Sequence, residues 1–429
     1  MRDHKQITLH SVEGFKTQLL AWAQQFEDIV WLDSNQYLQP HSSYDSILAV
    51  DAFTGIQTDY VNGFQKLKEY QSITNDWIFG YLSYDLKNDT EPLSSQNFDG
   101  LNFPDLCFFQ PKRLFLFRED KLTIRYLNVF SDEVDADLKS IETFSLQNNS
   151  SHKNDIQIES RISKKQYINK VSTLLSHIHR GDIYEANFCQ EFYAHAEINS
   201  LETYFKLNKI SQPPFATFLK TGDKYLLSSS PERYLKKVGL EIMSQPIKGT
   251  TRRSEHLEED ADLKTILESD PKERSENIMI VDLVRNDLSK IAQKGTVNVT
   301  ELCQIYSFKQ VHHMISTVQA KALPTILPVD IIAATFPMGS MTGAPKISAM
   351  KIIEALEATK RGLYSGTVGY FTPEGDFDFN VVIRSILYNA SKSYVSFSVG
   401  SAITSKSTPE NEYKECLVKA KAMRSVLEN

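Results

Sequence analysis

At 429 residues, 41% of them apolar and 24% charged, the chain has ample material for a sizeable core, as two or three average domains or one large one. A formal net charge of −7 argues against a nucleic-acid binder or an anionic-membrane binder, both of which usually carry basic patches. No apolar run reaches the roughly 18 residues of a membrane span. The start Met1-Arg2-Asp3-His4-Lys5 lacks the apolar segment of a secretory leader, so a cytoplasmic protein is expected.

In chain order, residues 1 to about 145 alternate short β-rich runs with turns. Ile29-Val-Trp-Leu32, Ser46-Ile-Leu-Ala-Val50, Trp77-Ile-Phe-Gly-Tyr-Leu82 and Lys112-Arg-Leu-Phe-Leu-Phe117 read as strands. Apolar spacing predicts amphipathic helices over Gly14 to Phe26 and Gly63 to Tyr70. The polar, turn-rich Gln147 to Asp155 reads as a linker or exposed loop. After it, Ser163 starts a helical pattern that runs through His179 and is capped by Gly181. The rest alternates strands and helices without another break. Four scattered cysteines, Cys107, Cys189, Cys303 and Cys416, have no metal spacing and read as reduced, mostly buried thiols.

Five constellations follow residue 180. In Ser228-Ser-Ser-Pro-Glu-Arg-Tyr234 a strand runs into a turn bearing Glu232, which taken alone is a solvated turn residue. Gln245-Pro-Ile-Lys-Gly-Thr250 then places Lys248 between a proline and a glycine; alone, it is a surface cation. Asp270-Pro-Lys-Glu-Arg-Ser-Glu276 has an N-cap aspartate, proline at the first helical position and Glu273 where a capping box would have its acid. Glu273 and Glu276, three apart, project from one helix face. Thr408, Pro409, Glu412 and Glu415 repeat that arrangement near the C-terminus. First-turn acids are favoured by the helix dipole alone. If the two faces converge, however, four carboxylates would form a hard oxygen site suited to Mg2+. Last, the glycine-rich Gly339-Ser-Met-Thr-Gly-Ala-Pro-Lys346 opens a helix, and Arg361 to Tyr370 and Val381-Val-Ile-Arg384 follow it. Amides at such a start bind anions, and an arginine can grip a carboxylate with two bonds; the plain alternative is a turn and a structural arginine. The turn lacks P-loop spacing.

In this order the motifs resemble the chorismate-utilising enzymes: anthranilate synthase large subunits, aminodeoxychorismate synthase component I, and the isochorismate and salicylate synthases. The resemblance runs from about 160 to 427 through Gly181-Asp-Ile-Tyr184, Ser228 to Arg233, Pro246-Ile-Lys-Gly-Thr250, Glu276 to Leu283, Gly339 to Lys346 and Tyr364 to Tyr370. It implies a chorismate-binding catalytic region over 160–429, with 1–145 as a variable N-terminal part of the same fold. The fold implied is α+β, anthranilate-synthase-like: layered antiparallel sheets flanked by helices, with the active site in a central cleft.

Within the family, Pro-Ile-Lys-Gly-Thr is similar to the aminodeoxychorismate synthases, where anthranilate synthases typically read Pro-Ile-Ala-Gly-Thr. The resemblance implies that Lys248 attacks C2 of chorismate as the C4 hydroxyl departs. Ammonia then adds at C4 and expels the lysine, giving 4-amino-4-deoxychorismate for 4-aminobenzoate and folate synthesis. Burial is expected to favour the neutral lysine. Glu232 matches the general acid/base. Glu276 and Glu415 match direct Mg2+ ligands, with Glu273 and Glu412 acting more often through metal-bound water. Arg384 and Tyr364 match the clamp on the pyruvyl carboxylate, aided by backbone at Gly400. Ser340 and His313 match positions near the ring carboxylate, and Lys346 closes the glycine-rich substrate-binding motif. His312 reads as structural.

Two departures stand out. Glu185 occupies the position where water-adding relatives carry a lysine base and amine-adding ones commonly a glutamine, and Thr251-Arg-Arg253 replaces a Leu-Pro-Arg or Arg-Pro-Arg sequence. The resemblance leaves no segment for glutamine hydrolysis, so ammonia is expected from a separate glutamine amidotransferase subunit. The alternatives are an anthranilate synthase large subunit that carries the lysine, or a non-catalytic chorismate-binding subunit.

Overall fold

The apolar Lys112 to Phe117 run lies inside a longer strand, Leu106–Arg118, whose residues are buried at nearly every position. A strand buried on both faces has to be covered on both sides. The computed structural model describes residues 2–37, 41–144 and 156–428, so the Gln147 to Asp155 linker expectation lies outside the described residues. Every pairing between the described strands is antiparallel. With eleven α-helices among the described residues, the architecture is α+β.

The first third of the chain is stitched into the rest. Strand Asp28–Asp33 lies between Ser46–Thr58 and Phe215–Thr221, setting Trp31 opposite Leu48 on one side and Phe218 on the other. Strand Ile78–Leu82 pairs with both Leu106–Arg118 and Thr367–Phe371. Two large apolar clusters result. One gathers Phe64 and Leu67 from helix Gly63–Thr74, Ile280 and Val284 from Pro271–Ser289, and Ile331 and Ile332 from Pro328–Thr335. The other gathers Leu19 from Val12–Trp22, Val171 and Leu174 from Lys164–Arg180, and Ala420 and Met423 from Pro409–Glu428. Each large aliphatic side chain fully buried this way contributes roughly 1.5–3 kcal/mol.

Local signals explain most boundaries. Ser163 and Gln166 form a complete capping box, and the helix ends at Gly181. The helix expected over Gly14 to Phe26 begins at Val12 and tightens after Trp22 into a 3₁₀ turn, Ala23–Gln25, closed by Phe26 N–H donating to Ala23 O at 3.0 Å. All four cysteines are buried and unbonded to one another.

Candidate active site

The strand Ile247–Arg252 runs antiparallel to Val311–Lys321 with one irregularity. Ile247 faces Ile315 and Thr250 faces His313, so three steps on one strand match two on the other. The extra residue falls at Lys248-Gly249, and such a bulge re-aims a side chain out of the regular alternation. Gly249 takes a φ of +94°, which side chains rarely adopt. The bulge is pinned from behind: Asn277 Nδ2 donates to Lys248 O at 3.4 Å and to Met314 O at 3.2 Å.

The re-aimed lysine meets a carboxylate. Lys248 Nζ lies 2.9 Å from Glu185 Oε1, with side chains only 11% and 1% exposed. Glu185 begins strand Glu185–His195, where it is paired with Thr404 on one side and Ala344 on the other. Burial would lower the pKa of Lys248, but Glu185, then Glu276 and Glu232, outweigh it, and the net shift is upward. This corrects the expectation of a neutral lysine: a buried amine beside three carboxylates keeps its proton.

Glu232 follows strand Lys224–Ser230 and is 4% exposed, not a solvated turn residue. Burial pushes its carboxyl up to about 7, against hydrogen bonds from the Ser340 hydroxyl and the Ile247 amide and the pull of Lys248. A carboxyl poised near neutrality suits proton transfer in either direction.

Helix Pro271–Ser289 starts as its sequence dictates. Asp270 accepts from the amides of Lys272 at 2.7 Å and Glu273 at 3.1 Å. The reciprocal half of a capping box is missing, because the Asp270 amide donates to Leu267 O instead. Glu276 is 6% exposed and accepts from Thr404 Oγ1 at 3.3 Å. Its carboxyl is raised to about 7 by burial, opposed by Lys248 and Lys272. Burial likewise raises Glu273, while Lys272 opposes the shift and Glu415 adds to it. From helix Pro409–Glu428 come Glu412, 2% exposed, and Glu415. Burial would raise Glu415, but Lys419, 2.7 Å away, outweighs it and the net shift is downward.

The two acidic faces do converge, around a cation of the protein's own. Lys272 Nζ lies 3.8 Å from Glu276 Oε1 and 4.0 Å from Glu412 Oε1, and all four glutamates raise its pKa against burial. As they stand, no three acidic, histidine or cysteine side chains among the described residues are close enough to hold a metal ion together. The donor chemistry nonetheless fits a hard divalent cation. Glu412 Oε2 is buried without a hydrogen-bond partner among the described residues, an open acceptor in that cluster.

Arg384 sits just after strand Phe377–Val381 with a φ of +52°. Its guanidinium makes no hydrogen bond or ion pair with the described residues. Burial lowers its pKa, against Tyr364 and Glu415. A half-buried guanidinium left unpaired by the described residues is a ready receptor for a carboxylate. Tyr364 is buried, its hydroxyl 3.8 Å from Cys189 Sγ. His313, hydrogen-bonded to Thr250 Oγ1 at 2.8 Å, is pushed down to about 3 by burial first and by Arg384 next, so it is neutral. Gly400 pairs with Cys189, and its carbonyl accepts from Lys419 at 2.9 Å.

One reading changes. Lys346 does not face substrate: its ammonium donates to Asp287 Oδ2 at 2.5 Å, Pro337 O at 2.9 Å and Thr335 O at 3.1 Å, which occupies all three protons. The glycine-rich stretch includes a short strand, Gly343–Ala344, just before the helix Lys346–Leu356. Gly343 pairs with Ala186, and a Cβ there would lie 2.1 Å from Glu185 O. The glycine lets this loop close onto the strand that carries Glu185. The second sequence departure also has a place: Arg253 binds Asp260 at 2.8 Å and Arg252 binds Glu259, both on helix Leu257–Ser269. Asp260 also holds His312 Nε2 at 3.1 Å.

Sequence reasoning missed two residues at the site, Lys272 and Lys419. Each stands four positions from a site glutamate, a spacing that signals helical ion pairs. Glu185 stood out in the sequence as a departure from the family pattern, without an assigned role.

Comparison with known proteins gives the family of the chain. The chain matches the chorismate binding enzyme family over residues 27–425. It is 35% identical over 402 residues to a probable chloroplastic aminodeoxychorismate synthase of Oryza sativa subsp. japonica, covering 84% of this chain but only 44% of that protein. The chain thus spans less than half the length of that relative. It is 33% identical to aminodeoxychorismate synthase component 1 of Bacillus subtilis (strain 168), over 81% of this chain and 76% of that protein. The crystal structure of anthranilate synthase component I from Streptococcus pneumoniae TIGR4 superposes with a TM-score of 0.77 at 27% identity, covering 90% of this chain and 93% of that one. The chain belongs to the chorismate binding enzyme family.

Proposed function

We propose that the protein is an aminodeoxychorismate synthase component I, converting chorismate and ammonia to 4-amino-4-deoxychorismate for 4-aminobenzoate and folate synthesis. The observation that supports this best is Lys248, turned by a backbone bulge into a buried group with Glu185, Glu276 and Glu232. An amine nucleophile inside the site serves replacement of a hydroxyl by an amine with two displacements.

Chorismate would enter with its pyruvyl carboxylate on Arg384, beside Tyr364 and the Gly400 backbone. Glu232, protonated near neutral pH, donates to the departing C4 hydroxyl as Lys248 Nζ bonds to C2. Ammonia then bonds to C4, the C2–N bond breaks, and Glu232 takes a proton from the new ammonium. Ser340 holds Glu232 in orientation through its hydroxyl. A magnesium ion at Glu276 and Glu415, flanked by Glu273 and Glu412, would neutralise the ring carboxylate of the substrate. His313, neutral and bonded to Thr250, is a hydrogen-bonding group near the ring. A glutamine amidotransferase subunit would supply the ammonia.

A second reading, anthranilate synthase, is favoured by the likeness to the Streptococcus structure. Product identification separates them. Purified protein with chorismate, magnesium and ammonium should yield 4-amino-4-deoxychorismate, which an added lyase converts to 4-aminobenzoate. Anthranilate fluorescence would overturn the proposal, and no turnover at all would favour a non-catalytic chorismate-binding subunit.

A further inference from the structure

Glu185 is a buried carboxylate that folding alone does not account for. Taking two charges out of water costs several kcal/mol per ion, and a buried ion pair is often no better for stability than a well-packed apolar pair. The pair is nevertheless built with care. Glu185 is held by backbone pairing on both flanks, Thr404 on one and Ala344 on the other, so its side chain is aimed by the sheet and not by a loop. Its Oε1 accepts from Lys248 Nζ at 2.9 Å, and Oε2 is buried with no hydrogen-bond partner among the described residues. The other carboxylates near Lys248 are otherwise engaged: Glu276 accepts from Thr404, and Glu232 from Ser340 and the Ile247 amide. Glu185 is the one ion-paired with the lysine.

We propose that Glu185 is a catalytic residue of this chain, the group that takes the proton from the Lys248 ammonium before attack and returns it after release. The inference rests on the reading of Lys248 as nucleophile. A lysine kept charged by its surroundings has no lone pair to offer, and the acceptor in hydrogen-bond contact is Glu185. Proton transfer leaves neutral Lys248 and protonated Glu185, with Oε2 free of any competing partner. The lysine lone pair forms the N–C2 bond, the ring double bonds shift, and the C4–O bond breaks. The hydroxyl leaves as water with the proton of Glu232. When ammonia bonds to C4, the C2–N pair returns to Lys248. The amine regains its proton from Glu185, and Glu232 is reprotonated by the C4 ammonium. Charges and protons then match the starting state.

The test is the rate at which the acid-quenched protein gains the Lys248 adduct by intact mass, with chorismate and magnesium but no ammonia. Wild type should form it; E185Q, which keeps shape but cannot accept a proton, should be slower by about a hundredfold or more. Glu185→Asp, with the carboxylate set back by one methylene, should fall between the two. Chorismate affinity, measured by calorimetry, should change only a few-fold in both variants, which a merely structural role would not predict. Either folded variant forming the adduct at the wild-type rate overturns the proposal, and Glu185→Asp decides it if E185Q does not fold. No adduct in wild type, with full turnover by K248A, would instead sink the nucleophile reading.

Discussion

The backbone of Gly249 packs directly against the side chain of Glu273: a Cβ on Gly249 would lie 3.3 Å from both the Cβ and Oε2 of Glu273. The bulge that aims the lysine and the helix that carries the acidic face are therefore fitted to each other without slack. Gly249→Ala would also have to hold a φ of +94°. The substitution should cost about 1–3 kcal/mol in denaturant unfolding and lower turnover by shifting Lys248. An alanine variant with wild-type stability would show that the bulge relaxes freely.

Removing Lys248 strands Glu185. Lys248→Met should cost about 3–5 kcal/mol, since it leaves an uncompensated buried carboxylate. Adding E185Q should restore most of that loss without restoring activity. The double-mutant cycle, read by urea denaturation, checks this; additive effects would mean the two side chains do not share one interaction.

Glu232 makes stability fall with pH. Its folded pKa of about 7 lies above the reference value of 4.5, so the folded state binds the proton more tightly. Its contribution is fully favourable below pH 4.5 and is lost as pH rises to about 7. Relative to Glu232→Gln, the wild type should lose about 3 kcal/mol across that window. Turnover should decline above pH 7 as the proton for the leaving hydroxyl is lost. A flat stability difference between pH 4 and 8 would contradict the burial assigned to this group.

Arg384 is a half-buried cation with no hydrogen-bond or ion-pair partner among the described residues. Arg384→Met should leave the fold as stable or more so, while weakening chorismate binding about ten- to a hundredfold, the worth of hydrogen bonds to a charged group. Calorimetry on wild type and variant is the check. Unchanged affinity would remove Arg384 from the carboxylate clamp.

Lys272 stands among Glu273, Glu276, Glu412 and Glu415 as a cation of the chain itself. Lys272→Met should lower the thermal midpoint in chelator and make the rise on adding magnesium larger than in wild type. Equal responses in the two proteins would mean that the lysine does not offset the carboxylates.

Several elements follow from neighbouring residues alone. Ser163 and Gln166 cap one helix, Gly181 ends that same helix, and Asp270 and Pro271 start another. Such caps and the periodicity of apolar residues act over a few positions, which is why they are legible in a linear string. The order of motifs was likewise enough for the family. Lys346 shows the limit: its place in a glycine-rich motif suggested substrate, but Asp287, fifty-nine positions earlier, holds its ammonium.

Lys248 and its surroundings divide along the same line. The sequence by itself determined that a lysine stands between a proline and a glycine, and that two helices open with paired glutamates. Only the tertiary structure decided that the lysine is buried, charged and bonded to Glu185, sixty-three positions away. The physical reason is that its charge state is set by which carboxylates the closed sheet and the helix packed on it bring near. Burial alone would have made the lysine neutral, and three glutamates from separate elements reverse the outcome.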